Sequence, residues 1–232
     1  MRKALITISL IALLFFVSCS QDDKVSKDDF NLMYAHLSQM WAQSLGHTDA
    51  ENAFFGDSRV AGADWYSAYP DKKVINLGIG GDRVGDLIIR FGQVEALAKS
   101  GSLKCCFVAI GGNDCLDTKF DPDKFEKEYD ELLTKLGKLD IAVYVNTIAG
   151  LCEKSSTLKP SRIKSSNSHM AKANEIIKTL AQKHNMQVID VAAVMNNEDG
   201  TTLKAEYCVE DGVHFSAAGN ACWFEELLPF VD

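Results

Sequence analysis

Basic residues are the minority charge in this chain: 24 Lys and Arg stand against 32 Asp and Glu, for a formal charge of −8. With no basic patch and no RNA-binding signature to set against that balance, a nucleic-acid partner is excluded. The sequence has no Gly-Lys-Ser/Thr tripeptide, so a nucleoside-triphosphate loop is excluded too. It also has no Cys-x-x-Cys, which removes the zinc-ribbon and thioredoxin-type readings. A dinucleotide fingerprint is incomplete: in Gly78-Ile79-Gly80-Gly81-Asp82-Arg83 an arginine stands where the third glycine belongs. The apolar run from Ala4 to Val17 is too short to span a bilayer comfortably. Beyond a short polar tether there is no low-complexity segment, and there is no internal repeat.

What is present is an ordinary globular composition, 47% hydrophobic and 24% charged over 232 residues, enough for one domain with one sizeable core. Arg2 and Lys3 ahead of the apolar run give the outline of a secretory signal over residues 1–18. Phe16-Val17-Ser18-Cys19 resembles the lipobox of bacterial lipoproteins, with Phe16 in place of the usual leucine. The resemblance implies a lipidated Cys19, a polar tether to residue 29, and an exported domain over 30–232 that is held at a membrane and faces the periplasm or the cell exterior. Export would permit disulfides among Cys105, Cys106, Cys115, Cys152, Cys208 and Cys222, although their pairing is not legible. Cys105 and Cys106 adjoin in an apolar run, so at least one is expected to be a buried small hydrophobe.

Along the chain, apolar residues from Phe30 to Leu45 recur at helical spacing. Short strands are expected at Ala53–Gly56, Lys73–Leu77, Phe107–Ile110 (beginning near Lys104), Ile141–Asn146 and Gln187–Val191. Helical patterns separate them at Val84–Ala98, Phe125–Leu136 and Met170–Leu180, and a last one runs from Ser216 to Leu228. Alternation of this kind predicts a five-stranded parallel sheet between helices, joined by right-handed crossovers. Gly150–Ser168, rich in Ser and Lys and holding Pro160, reads as a long loop bordering a substrate site.

The chemistry concentrates at the carboxyl ends of the strands, where open α/β sheets bind ligands. Ala-Phe-Phe-Gly56-Asp57-Ser58-Arg59 ends an apolar run on a glycine and presents a serine, which is either a nucleophile or a helix N-cap. Gly81 can offer a free N–H to an oxyanion, and Asn113, in Gly-Gly-Asn-Asp, can offer a side-chain amide. Taken singly, Asn113 or Asp114 reads as well as an Asx-turn residue. Asp211 and His214 stand three apart, so the carboxylate can hold the imidazole as a base. His36, His47, His169 and His184 have no carboxylate three residues before them.

These four blocks, in this order, resemble those of the SGNH or GDSL hydrolase superfamily, and the second block is most like the platelet-activating-factor acetylhydrolase branch. The resemblance implies a three-layer α/β/α, flavodoxin-like fold and a serine ester hydrolase. Ser58 is then the nucleophile, His214 the base and Asp211 its orienter, with an oxyanion hole from Ser58, Gly81 and Asn113 and no cofactor. Short acyl esters, acetyl above all, of a carbohydrate or lipid lead the substrates implied, ahead of lysophospholipids and thioesters. Arg59 replaces the usual leucine and Arg83 a position often small and hydroxylic, so both are candidates to hold an anionic substrate. Two rival readings are a metal-dependent hydrolase built on Asp57, Asp82, Asp114 and His214, and a non-catalytic surface carbohydrate-binding module.

Overall fold

The structure is a computed structural model and describes residues 49–232. The signal segment, Cys19, the tether, the Phe30–Leu45 helix, His36 and His47 lie outside the described residues. Five short strands form the sheet: β1 (Asn52–Gly56), β2 (Val74–Gly78), β3 (Cys105–Ala109), β4 (Ala142–Asn146) and β5 (Gln187–Ile189). They run in the order β2-β1-β3-β4-β5, and every pairing is parallel. This is the doubly wound order whose switch point lies between β1 and β3. Gly56 pairs level with Gly78 on one side and Ala109 on the other, so the turns after the three strands leave the sheet side by side.

Successive side chains of a strand point to opposite faces, and here both faces are covered. Phe55, Leu77, Val108 and Val145 enter one core, while Phe54, Val74 and Phe107 enter the other. The first core is closed by α3 (Val84–Ile89), α4 (Gly92–Ser100), α6 (Pro122–Leu136) and α7 (Pro160–Lys183). On the second, Phe54 stacks on Trp65 of α2 (Trp65–Ala68) with ring centroids 3.8 Å apart, and Trp223 of α9 (Ala217–Leu227) meets Trp65 edge-on at 4.9 Å. The remaining helices are single turns at the strand ends: α1 (Ser58–Ala61), α5 (Gly112–Cys115) and α8 (Val191–Met195). Cys105 and Cys106 are both buried, one in each core.

Three of the differences from the expected boundaries have a visible physical cause. The continuous helix over Val84–Ala98 is instead two, broken at Arg90 and Phe91, because the Arg90 side chain turns into the sheet and donates to the carbonyls of Leu77 and Gly56. The long loop ends early, at Pro160, which takes the first helical position of α7, where its missing N–H costs nothing. Ile163, Ser166 and Asn167 are then buried, and Asn167 bonds both the N–H and the carbonyl of Leu151. Val191 opens α8 rather than closing β5, since Thr147 Oγ1 donates to Asp190 and accepts from the Ala192 N–H, drawing the chain off the sheet edge. Among the described residues no helix is long and apolar enough to cross a membrane.

Candidate active site

Gly56 is needed for close approach: a Cβ there would stand 2.1 Å from the Ala109 carbonyl oxygen. Directly after it, Asp57 takes the N-cap of α1 and accepts from the Arg59 N–H at 2.9 Å. The cap that Ser58 might have supplied is therefore filled by its neighbour. Ser58 is the first residue of α1, and its hydroxyl lies 2.9 Å from His214 Nε2.

His214 is delivered by a tight turn from the far end of the chain. Asp211 accepts from the N–H groups of Val213 and His214 through Oδ1 and faces His214 Nδ1 at 2.6 Å through Oδ2. An ionised carboxylate only accepts, so the Nδ1 proton belongs to the ring and Nε2 presents its lone pair to Ser58. Burial pushes the Asp211 carboxyl up, but the His214 ring and the two N–H donors together outweigh it and hold the group below its ordinary value. Between Asp211 and Val213, Gly212 has φ +75°, and a Cβ there would meet Ser155 Cβ at 2.6 Å, so the turn admits no side chain at this position. The His214 side chain is 44% exposed, which leaves the ring open to a substrate.

Two further loops stand beside this line of groups. Gly81 is exposed on the turn after β2. Asn113, in α5 just past β3, donates Nδ2 to the Asp82 carbonyl at 2.9 Å, which fixes the amide against that turn and leaves its second hydrogen for another acceptor. Asp114 accepts from the Val84 N–H, so neither side chain merely closes its own loop. Burial pushes Asp114 up to about 6 and also raises Asp57, against the opposing charge of Arg59.

The four residues of the metal reading do not gather. Asp82 pairs with Arg90 at 2.6 Å, Asp57 caps α1, Asp114 caps α3, and His214 faces Ser58. Among the described residues no group of three His, Cys, Asp or Glu side chains is placed to hold a metal ion.

Of the two arginines expected to hold an anionic substrate, Arg59 is engaged elsewhere. Arg59 turns its guanidinium inward onto three backbone carbonyls, those of Val213, Ala149 and Gly150. Arg83 pairs with Asp117 at 3.1 Å and stays half exposed. The other described histidines are engaged elsewhere: His169 Nδ1 lies 3.0 Å from the Cys115 carbonyl, and His184 pairs with Asp130 at 2.7 Å.

One residue beneath the site escaped the sequence reading. Arg90, buried and stacked over Phe55, joins Asp82, the Leu77 carbonyl and the Gly56 carbonyl. It thus ties the ends of β1 and β2 to the residue whose carbonyl anchors Asn113. A lone arginine in an amphipathic helix pattern carries no signal of this role.

The sequence pattern of the GDSL-like Lipase/Acylhydrolase family matches residues 54–222. No curated protein matches the chain. Among solved structures, a candidate platelet activating factor from Streptococcus pneumonia superposes with a TM-score of 0.72 at 19% identity, covering 86% of this chain and 92% of its own. A GDSL-like lipase from Bacteroides thetaiotaomicron gives 0.66 at 18% identity, covering 84% and 95%. An acetyl xylan esterase, AlAXEase, gives 0.59 at 25% identity, covering 78% and 99%.

Proposed function

We propose a mechanism and a substrate class from one premise: this chain belongs to the GDSL-like lipase/acylhydrolase family and is an ester hydrolase. The reading is a serine esterase that acts through an acyl-Ser58 intermediate, and the observation that carries it is the unbroken hydrogen-bonded line from Ser58 through His214 to Asp211.

Ser58 Oγ attacks the ester carbonyl while its proton passes to His214 Nε2, and Asp211 stabilises the imidazolium that forms. Charge on the former carbonyl oxygen is received by the N–H groups of Ser58 and Gly81 and by the Asn113 amide. Each such donor is worth roughly 3 kcal/mol in the transition state. His214 returns the proton to the departing alkoxide, then draws one from water as it attacks acyl-Ser58. Acid is released and the serine is restored.

Small acyl groups, acetyl first, on a carbohydrate or lipid are the proposed substrates. The likeness to the acetyl xylan esterase supports that choice. A lipid anchor at Cys19 would keep this activity at a membrane surface.

Rates on 4-nitrophenyl esters from acetyl to decanoyl, together with acetylated xylan, test the reading. Acetyl should be the fastest aryl ester, and Ser58→Ala should lower kcat by about 10⁴-fold or more. Rates that climb with chain length would overturn the substrate class; near wild-type turnover in Ser58→Ala would overturn the mechanism.

A further inference from the structure

Arg59 sits next to the proposed nucleophile in the chain, yet its guanidinium bonds to other segments. Nε donates to the Val213 carbonyl at 3.0 Å, Nη1 to Ala149 at 2.7 Å, and Nη2 to Gly150 at 3.0 Å. Its guanidinium carbon also lies 4.6 Å from the centroid of the Phe215 ring. Val213 and Phe215 are the two residues flanking His214. One planar group therefore grips the histidine turn on both sides of the base, fixes it to the segment leaving β4, and is itself joined to Ser58 by a single peptide bond. The Arg59 backbone N–H is held in turn by Asp57 at 2.9 Å, which anchors the near end of the clamp.

We propose that Arg59 is a positioning residue that sets the distance between Ser58 and His214, and that it does not bind substrate. This rests on the serine-esterase reading above. The acceptors are carbonyls 154, 90 and 91 residues away in sequence, and a planar five-donor fork reaches all three at once. A lysine ammonium, a compact point charge on a flexible stem, lacks the fixed fork that matches this set. Leucine would keep much of the apolar contact with Phe215 and lose every donor. Released from the clamp, the base can drift from the serine hydroxyl, and a misplacement of about 1 Å can cost about 100-fold in rate.

The test compares wild type, Arg59→Lys and Arg59→Leu on 4-nitrophenyl acetate, which is neutral, and on the 4-nitrophenyl hemiester of succinate, which is anionic. Circular dichroism checks that each variant is folded. A positioning role predicts a fall in kcat of about 10-fold for Arg59→Lys and about 100-fold for Arg59→Leu. The falls should be equal on both esters, with KM within about twofold of wild type. Should Arg59→Leu fail to fold, Arg59→Lys decides alone. Wild-type kcat in a folded variant, or a rise in KM confined to the anionic ester, overturns the proposal, the second result returning Arg59 to substrate binding. Ser58→Ala run alongside separates the two levels: if it stays active, the serine mechanism has failed, whereas if it is inactive and the Arg59 variants are normal, only the clamp has.

Discussion

Two carboxylates on the loops of the site are treated oppositely by their surroundings. Asp211 receives the His214 ring and two backbone N–H groups, and its carboxyl is held low. Its contribution to stability is therefore present at neutral pH and is lost on acidification through the depressed value. Asp211→Asn should leave the fold standing but lower kcat by about 10⁴-fold, because an amide in that place can turn the imidazole to the wrong tautomer; steady-state kinetics with the variant checks this. Asp114 accepts from the Val84 N–H and from its own, and burial outweighs both and pushes it up to about 6. Unfolded, it would ionise near ~3.9, so the folded chain holds more protons across that interval. Stability from this group is then fullest below ~4 and declines as pH rises through 6. Asp114→Asn, which can still accept from Val84, should remove that slope. Urea denaturation at pH 4 and pH 7 should show the variant gaining on wild type by on the order of 2 kcal/mol at the higher pH, and an unchanged difference at both pH values would contradict it. The proposed catalytic side chains were legible in the sequence because their spacing is local: Asp211 and His214 share one turn, and Ser58 stands two residues past the end of β1. Arg59 was visible as a departure from the family's usual leucine and was read as a candidate to hold an anionic substrate, not as a clamp. Its acceptors are backbone carbonyls from distant segments, and any residue type supplies a carbonyl.

At the scale of the element, the central strands β1 and β3 were readable because both of their faces are covered, which leaves continuous apolar runs. The helices were readable where an apolar stripe repeats, as in α6. The misreadings fell where polar side chains do structural work. Residues 160–168 look like loop by composition, yet Asn167 replaces missing backbone partners for Leu151 and so makes a polar residue part of the core. Arg90 breaks a helix to reach strand carbonyls. That pair with Asp82 is fully buried, so removing one partner strands the other charge. Arg90→Ala should cost about 3–5 kcal/mol in urea denaturation, with part of the loss regained in the Arg90→Met, Asp82→Asn double variant. A cost below about 1 kcal/mol would mean that Asp82 takes up a proton or water instead.

At the scale of the molecule, strand order explains why residues scattered from Ser58 to His214 meet. The level ends of β1, β2 and β3 set three turns side by side, and α9 packs on Trp65 to bring the histidine turn across them. Alternation of strands and helices in the sequence anticipated the layers, while the order of strands within the sheet came into view only with the family resemblance, since periodicity says nothing about neighbours. The N-terminal reading belongs to this scale as well: full-length protein made in a lipoprotein-processing host should partition into the detergent phase, and Cys19→Ser should release it to the aqueous phase with its esterase activity intact. Equal partitioning of the two would contradict lipidation at Cys19. The central claim, a covalent acyl transfer through one hydroxyl, is tested most directly by mass spectrometry of protein quenched during turnover and after treatment with an organophosphonate. The account predicts an acyl or phosphonyl group on the peptide containing Ser58, and none in Ser58→Ala. An adduct on another residue, or hydrolysis that continues after Ser58 is fully modified, would contradict it.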